Sequence, residues 1–399
     1  MTTEDLLTRS LHEVTEHTDY QTTPLATVVR RAGIVRGRRR RTTALAAAAV
    51  AAVAVTPTAV WLNHSPDTSS GPTTTLSPTV SSGSATSLTD VPFGHAPGID
   101  YLDGNTYLDM NGGRIKDPAL TTATAATPVR DGLLFALPGE TPDRADLWIH
   151  TTNGDQRLGC GRNRFAISDD GVVSAYWVTD SCNPDSAGKL YDGVNNTMGE
   201  GGPGFVRTPA GVMIDPVGIQ TEAVVVNAWH GQDPTAELID IGTGRATPLS
   251  ALRIVTGSDE NNHVVSGEIA GQPAGQVGES AVVDATTGSV RWRTDWQLGQ
   301  FSADGKYVVG LRSGEGSTDS YAVFDAVTGQ KVADFPTWSS GWITQVAWDL
   351  DDTLLAVVND GSDRTAIVRF GRNGLVTRAT PVRQKKYASV DVFRLATRP

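Results

Sequence analysis

An all-β repeat architecture is what this 399-residue sequence predicts, and three observations predict it. A turn motif, Asp-x-x-Thr-Gly, recurs between short β-rich runs. A glycine recurs at a nearly constant interval through residues 93–399. The last segment, KYASVDVFRLATRP, alternates apolar residues beyond the final turn, whereas the first repeat starts one strand short. The fold expected is a seven-bladed β-propeller of four-stranded blades, closed by the C-terminal strand. A short helical cytoplasmic tail and one transmembrane helix are expected in front of it.

The tail is residues 1–41. Its five acids and eight arginines give +3, which leaves −14 for the rest of a chain whose net charge is −11. Thr2 and Asp5 resemble a capping box, and Leu7, Leu11 and Val14 fall on one helical face. A second short helix is expected over Leu25–Val35. A frayed, solvated tail and a docking segment for a cytoplasmic regulator both fit this pattern.

Seven arginines then crowd into positions 30–41, directly before the uncharged run 42–62, TTALAAAAVAAVAVTPTAVWL. At about 1.5 Å per residue that run spans roughly 31 Å, the thickness of a hydrocarbon core. The arginines favour an N-terminus inside the cell, with Trp61 at the outer interface. Ala44–Val55 has the length of a signal-peptide core, but some forty residues in front of it is too long for a leader. The reading is a membrane anchor with the C-terminal domain outside the cytoplasm. Residues 63–92, rich in Ser, Thr and Pro, hold too few large apolar side chains to fold and are expected to be a tether.

The repeat domain is expected over 93–399. AELIDIGTGRATPL, SAVVDATTGSVRWRT and YAVFDAVTGQKVADF share Asp240 and Gly244, Asp284 and Gly288, and Asp325 and Gly329. In each, the aspartate can bond back into its own turn while the glycine takes the left-handed position that closes it. Gly113, Gly154, Gly199, Gly244, Gly288, Gly329 and Gly374 extend the period, with a mean spacing of 43.5 residues. Seven such units need about 305 residues, and 307 are present from Phe93 onward.

SAVVDATTGSVRWRT resembles repeats of the pyrroloquinoline-quinone type, FSADGKYVVGLRS those of the TolB type, and the units in general resemble WD-repeat-like propellers. An arginine-rich leader, an alanine-rich span, a tether and a propeller together resemble membrane-anchored actinobacterial proteins. The 27 arginines against six lysines suit a GC-rich genome. The resemblance implies a fold and no particular function.

Composition narrows the chemistry. A sequence pI near 5.1 argues against nucleic-acid binding. Two cysteines leave no CxxC metal site, but Cys160 and Cys182 fall in loops expected on one face of a blade, where an oxidising exterior would allow a disulfide. No GxSxG, HExxH or P-loop occurs, and the seven histidines are scattered. Asp349, Asp351 and Asp352 read as a solvated turn rather than a calcium site. Trp338, Trp342 and Trp348 read as packing between blades or as a binding surface. Only Trp292 matches the tryptophan signature of the quinone-type repeat, and this departure puts that cofactor in doubt. No catalytic, cofactor or metal residue is assigned. The expected function is an extracytoplasmic platform that binds an envelope ligand or protein. The alternative is an exported enzyme, hydrolase- or lactonase-like or quinoprotein-like.

Overall fold

Strands such as Leu354–Asp360 and Ala223–His230 carry apolar runs rather than clean alternation, which requires cover on both faces. Stacked sheets supply that cover. The computed structural model describes residues 87–395, apart from 130–131, 142–143, 168–173, 180–181, 184–185, 193–204, 221–222, 272–278, 313–319, 336–340 and 386–391. Within it the described strands form six antiparallel sheets in chain order.

Sheet 1 places Phe393–Leu395 beside Tyr101–Asp103, followed by Thr106–Leu108 and Arg114–Lys116. Sheet 3 starts with Val212–Gln220, sheet 4 with Leu252–Asp259, sheet 5 with Gln297–Phe301 and sheet 6 with Gly341–Trp348. In sheets 3 to 6 the next strands follow as a meander. The leading strands touch one another in succession, and Gly341–Trp348 touches Phe393–Leu395. They therefore gather on one axis, and later strands lie progressively outward. The fold is a β-propeller.

Sheet 2 differs. Ala125–Val129, Gly132–Pro138, Ala145–Thr151 and Gly154–Gly161 run on without interruption into Ser174–Thr179, Gly188–Asp192 and Phe205–Thr208, and Ala166–Ile167 pairs alongside to make eight strands. The expected seven separate blades are thus corrected: there are five blade-sized sheets, of four or five strands, and one eight-stranded sheet. The cause is local. Past a bulge at Leu147/Trp148 and a Gly159 at φ 143°, Cys160 and Gly161 pair with Asp146 and Ala145 on one side and with Thr179 and Val178 on the other. A Cβ on Gly159 would lie 2.3 Å from Thr179 O, so only glycine fits there. The turn spacing carries no information about pairing across such a seam.

Cys160 and Cys182 are disulfide-bonded, with Cα atoms 5.1 Å apart. The bond ties the end of Gly154–Gly161 to the segment just after Ser174–Thr179, across the seam. Closing a loop with a 22-residue separation stabilises the fold by about 3 kcal/mol in the chain-entropy picture.

The expected helical tail and transmembrane helix are also corrected. Among the described residues the helices are two short 3-10 turns, Leu88–Asp90 and Pro118–Thr121, and no helix is long and apolar enough to cross a membrane. Residues 1–86, which include both expected segments, lie outside the described residues. The last residues of the expected tether belong to the fold. Leu88 and Val91 pack into the apolar core between sheets 5 and 6, and the Arg378 amide donates to Pro92 O at 2.8 Å.

Candidate functional site: the axial cavity

Where the leading strands converge, their backbones come too close for ordinary side chains. A Cβ on Gly257 would lie 2.3 Å from Gly299 O, and one on Gly218 2.2 Å from the Ser258 Cβ. The ladders break at the same level in three successive sheets. Register shifts fall between Pro216 and Gly218, Val255 and Gly257, and Leu298 and Phe301. A bulge re-aims the displaced side chain. Here the displaced residues Val217, Thr256 and Gln300 line a cavity of about 270 Å³ on the axis.

Its other walls come from sheets 1 and 2: Ala125–Thr127, Leu395 and the segment Asn163–Phe165. That segment is held by its neighbour. Arg162 donates to Asp215 through Nε (2.6 Å) and Nη2 (2.9 Å), and Trp229 Nε1 donates to the same carboxylate at 2.9 Å. Asp215 is buried at 1% exposure, so its charge is met entirely inside the protein. Asn227 adds a second tie between sheets 3 and 4, accepting from the Val255 amide (2.7 Å) and donating to Val255 O (2.9 Å).

Two polar residues border the cavity, Thr127 and Arg164. Thr127 is 1% exposed, so its hydroxyl, which makes no hydrogen bond, is shut off from the cavity space as well as from solvent. Arg164 is solvent-exposed and forms no ion pair among the described residues. The described lining holds no carboxylate, histidine or cysteine. It can therefore bind, but it offers no general base.

The residues singled out in the sequence lie elsewhere. Asp240, Asp284 and Asp325 end the third strands of sheets 3, 4 and 5, at the outer hairpins. Thr243 N donates to Asp240 Oδ1 (2.7 Å), Thr287 N to Asp284 Oδ1 (3.0 Å) and Thr328 N to Asp325 Oδ1 (2.8 Å). Gly244, Gly288 and Gly329 share φ 71° and donate to the backbone oxygens of the same aspartates. Gly329 also makes room for a neighbouring blade. The Trp292 ring from sheet 4 covers it, where a Cβ would meet ring carbon at 2.7 Å, and Trp292 Nε1 donates to Ala326 O.

The turn acids are held in their charged form. Arg291 first, then the Thr287 amide, lowers Asp284 to about 2. A depressed carboxylate adds stability that is full above the unfolded value, near pH 4, and is lost as pH falls toward 2. Asp284→Asn is therefore expected to lower the thermal midpoint at pH 6 and to make little difference near pH 2. An equal gap at both values, measured by thermal unfolding, would contradict the assignment.

The acids of 349–352 do not form one group. Asp349 is buried against Arg369 and accepts from Gly98 N at 2.9 Å, so it is not a solvated turn residue. Burial acts to raise Asp351, but the Thr353 hydroxyl and amide outweigh it and leave it lowered; burial and then the Asp304 charge raise Asp352. Trp348 is buried and donates to Gln300 O at 2.8 Å, whereas Trp342 is about half exposed, and Trp338 lies outside the described residues. The bulge at Ile343/Gln345 between them changes the face each presents.

Two donor clusters could in principle hold a metal. Asp146 stands with Cys160 and Cys182, but sulfurs bonded to each other are not thiolate ligands. His150 Nδ1 lies 2.7 Å from Asp155 Oδ1 and 3.2 Å from Asp117 Oδ2, three atoms that could share one cation. Asp117 is already engaged as the cap of Pro118–Thr121, accepting from Ala119 N at 2.8 Å.

No protein family and no curated protein matches the chain by sequence. Solved structures match by shape. TolB from Acinetobacter baumannii is 14% identical over 68% of this chain and 74% of its own, with a TM-score of 0.41. The β-propeller domain of the Trilobed protease from Pyrococcus furiosus is 12% identical over 71% of this chain and 89% of its own, with a TM-score of 0.46.

Proposed function

We propose that the protein is a binding platform whose ligand sits in the axial cavity, displayed outside the cytoplasm. The observation that carries the binding role is the cavity itself, walled by re-aimed side chains. A lining without a general base favours binding over hydrolysis. The disulfide favours an oxidising compartment. The arginine-rich residues 30–41 favour an N-terminus in the cytoplasm, where residues 1–41 would contact a regulator.

Protease added to intact cells, with tags at both ends of the chain, tests the placement. Loss of the C-terminal tag with a small N-terminal fragment retained in the membrane supports display outside. Full protection would overturn it, and release of the domain into the medium would replace the anchor with a cleaved leader.

A further inference from the structure

One turn of the repeat carries a histidine where its counterparts carry aspartate. Asp240, Asp284 and Asp325 each stand four residues before the glycine that closes their turn, and His150 stands four before Gly154, on the third strand of sheet 2. The aspartates accept hydrogen bonds from their own turns. His150 serves no such role. Asn153 N donates to the Thr151 hydroxyl instead (3.1 Å), and the His150 ring meets two carboxylates. Its Nδ1 is 2.7 Å from Asp155 Oδ1, on the facing strand, and 3.2 Å from Asp117 Oδ2, on the connection out of sheet 1.

Asp117 is fixed in place because its other oxygen, Oδ1, caps Pro118–Thr121 by accepting from Ala119 N. It is 8% exposed, and neither it nor Asp155 meets a lysine or arginine among the described residues. With the imidazole neutral, two negative charges therefore stand together, one of them buried, and the chain supplies no cation. A single Nδ1 proton serves only one of the two carboxylates well. A divalent ion answers both charges and takes the imidazole lone pair as well.

We propose that Asp117, His150 and Asp155 bind a divalent transition ion of the zinc class, through Asp117 Oδ2, His150 Nδ1 and Asp155 Oδ1. One imidazole and two carboxylates suit Zn²⁺, or Co²⁺ in its place, better than Ca²⁺ or Mg²⁺, which take oxygen ligands. Bonds of about 2.0–2.2 Å set neighbouring ligand atoms about 3 to 3.5 Å apart. The 3.2 Å separation already fits, and a small swing of Asp155, whose side chain is 33% exposed, opens the 2.7 Å one. That exposure also leaves a coordination position to water. The ion clips sheet 2 to the connection from sheet 1. None of the three residues lines the axial cavity, so the two sites are independent.

The test is titration of the untagged full-length protein, first stripped with chelator, with Zn²⁺, Co²⁺, Ca²⁺ and Mg²⁺ up to about 0.1 mM. Thermal unfolding and metal content after desalting are the readouts. One zinc per chain is expected, with a saturable rise in the midpoint that Ca²⁺ and Mg²⁺ do not give. Co²⁺ is expected to develop visible absorption bands that zinc abolishes. His150→Gln and Asp117→Asn are each expected to weaken zinc binding about tenfold or more. Asparagine caps as well as aspartate, so Asp117→Asn removes the charge and keeps the turn. Asp155→Asn, on the exposed side, is expected to act alike and serves if another variant fails to fold.

No saturable response to zinc, an equal response to Ca²⁺, or full zinc affinity in the folded variants would overturn the site. Zinc taken by His12, His17 or His64 gives that last result.

Discussion

Asp349→Ala is expected to lower the stability of the protein by about 3–5 kcal/mol, because it strands a buried charge. Asp349 and Arg369 are 2% and 4% exposed; Asp349, in the turn after Gly341–Trp348, meets Arg369 on the third strand of sheet 6, Arg364–Phe370. Arg369 also donates to His95 O (2.8 Å) and Ala96 O (3.0 Å), and Asp349 receives the Gly98 amide. One ion pair therefore pins residues 95–98, which lead into the first strand, onto the last blade-sized sheet. Without the carboxylate, the guanidinium remains buried and only backbone oxygens oppose it. A fall of about 5–10 °C in the thermal midpoint is the expected readout. Asp349→Asn should fall between, since it can still accept from Gly98 and cannot neutralise Arg369. A loss below about 1 kcal/mol for Asp349→Ala would mean that water reaches Arg369.

Arg394→Ala is the second large effect, expected at about 3 kcal/mol or more. Phe393–Leu395 pairs with Tyr101–Asp103 in the register Tyr101↔Leu395, Leu102↔Arg394 and Asp103↔Phe393, so the first and last described strands share one sheet. Arg394 is 4% exposed and donates to the backbone oxygens of Gly104 (2.7 Å), Leu120 (3.0 Å), Thr121 (3.1 Å) and Ala123. It thereby ties the C-terminal strand to sheet 1 and to the 3-10 turn that follows it. Truncation leaves those oxygens without their donor and opens a path to the sheet edge. Limited proteolysis should then cut first near residues 101–123. A variant whose midpoint and cleavage pattern match wild type would show that strand pairing alone holds the ring shut.

Much of the fold was legible in the sequence because its information is local. Asp284 and Gly288 define a turn by chemistry contained in five residues, and the alternation in the C-terminal segment betrays a strand seeking a partner. The joining of two expected blades was not legible, since it depends on Gly159 allowing Cys160 and Gly161 to reach Thr179 and Val178. The disulfide could be expected from compartment and spacing, although its place at that seam could not. The same limit hid the cavity. Gly218, Gly257 and Gly299 sit inside strands at similar points of successive repeats, and an in-strand glycine is a bulge signal. That signal could have directed attention to Val217, Thr256 and Gln300. Arg164 and Thr127 carry no local motif; only the ring brings them to one space. Asp349 was misread because a run of acids looks like a solvated turn until Arg369, twenty residues on, is seen to meet one of them.

Hydrogen exchange of the full-length protein, with and without a low-molecular-weight extract of the cell envelope, tests the axial site most directly. The expected result is protection concentrated on Ala125–Val129, on residues 161–167 and around the bulges at 216–218, 255–257 and 298–301, with the outer turns at Asp240, Asp284 and Asp325 unchanged. Protection confined to those outer turns, or spread over the surface without reaching the axis, would contradict it.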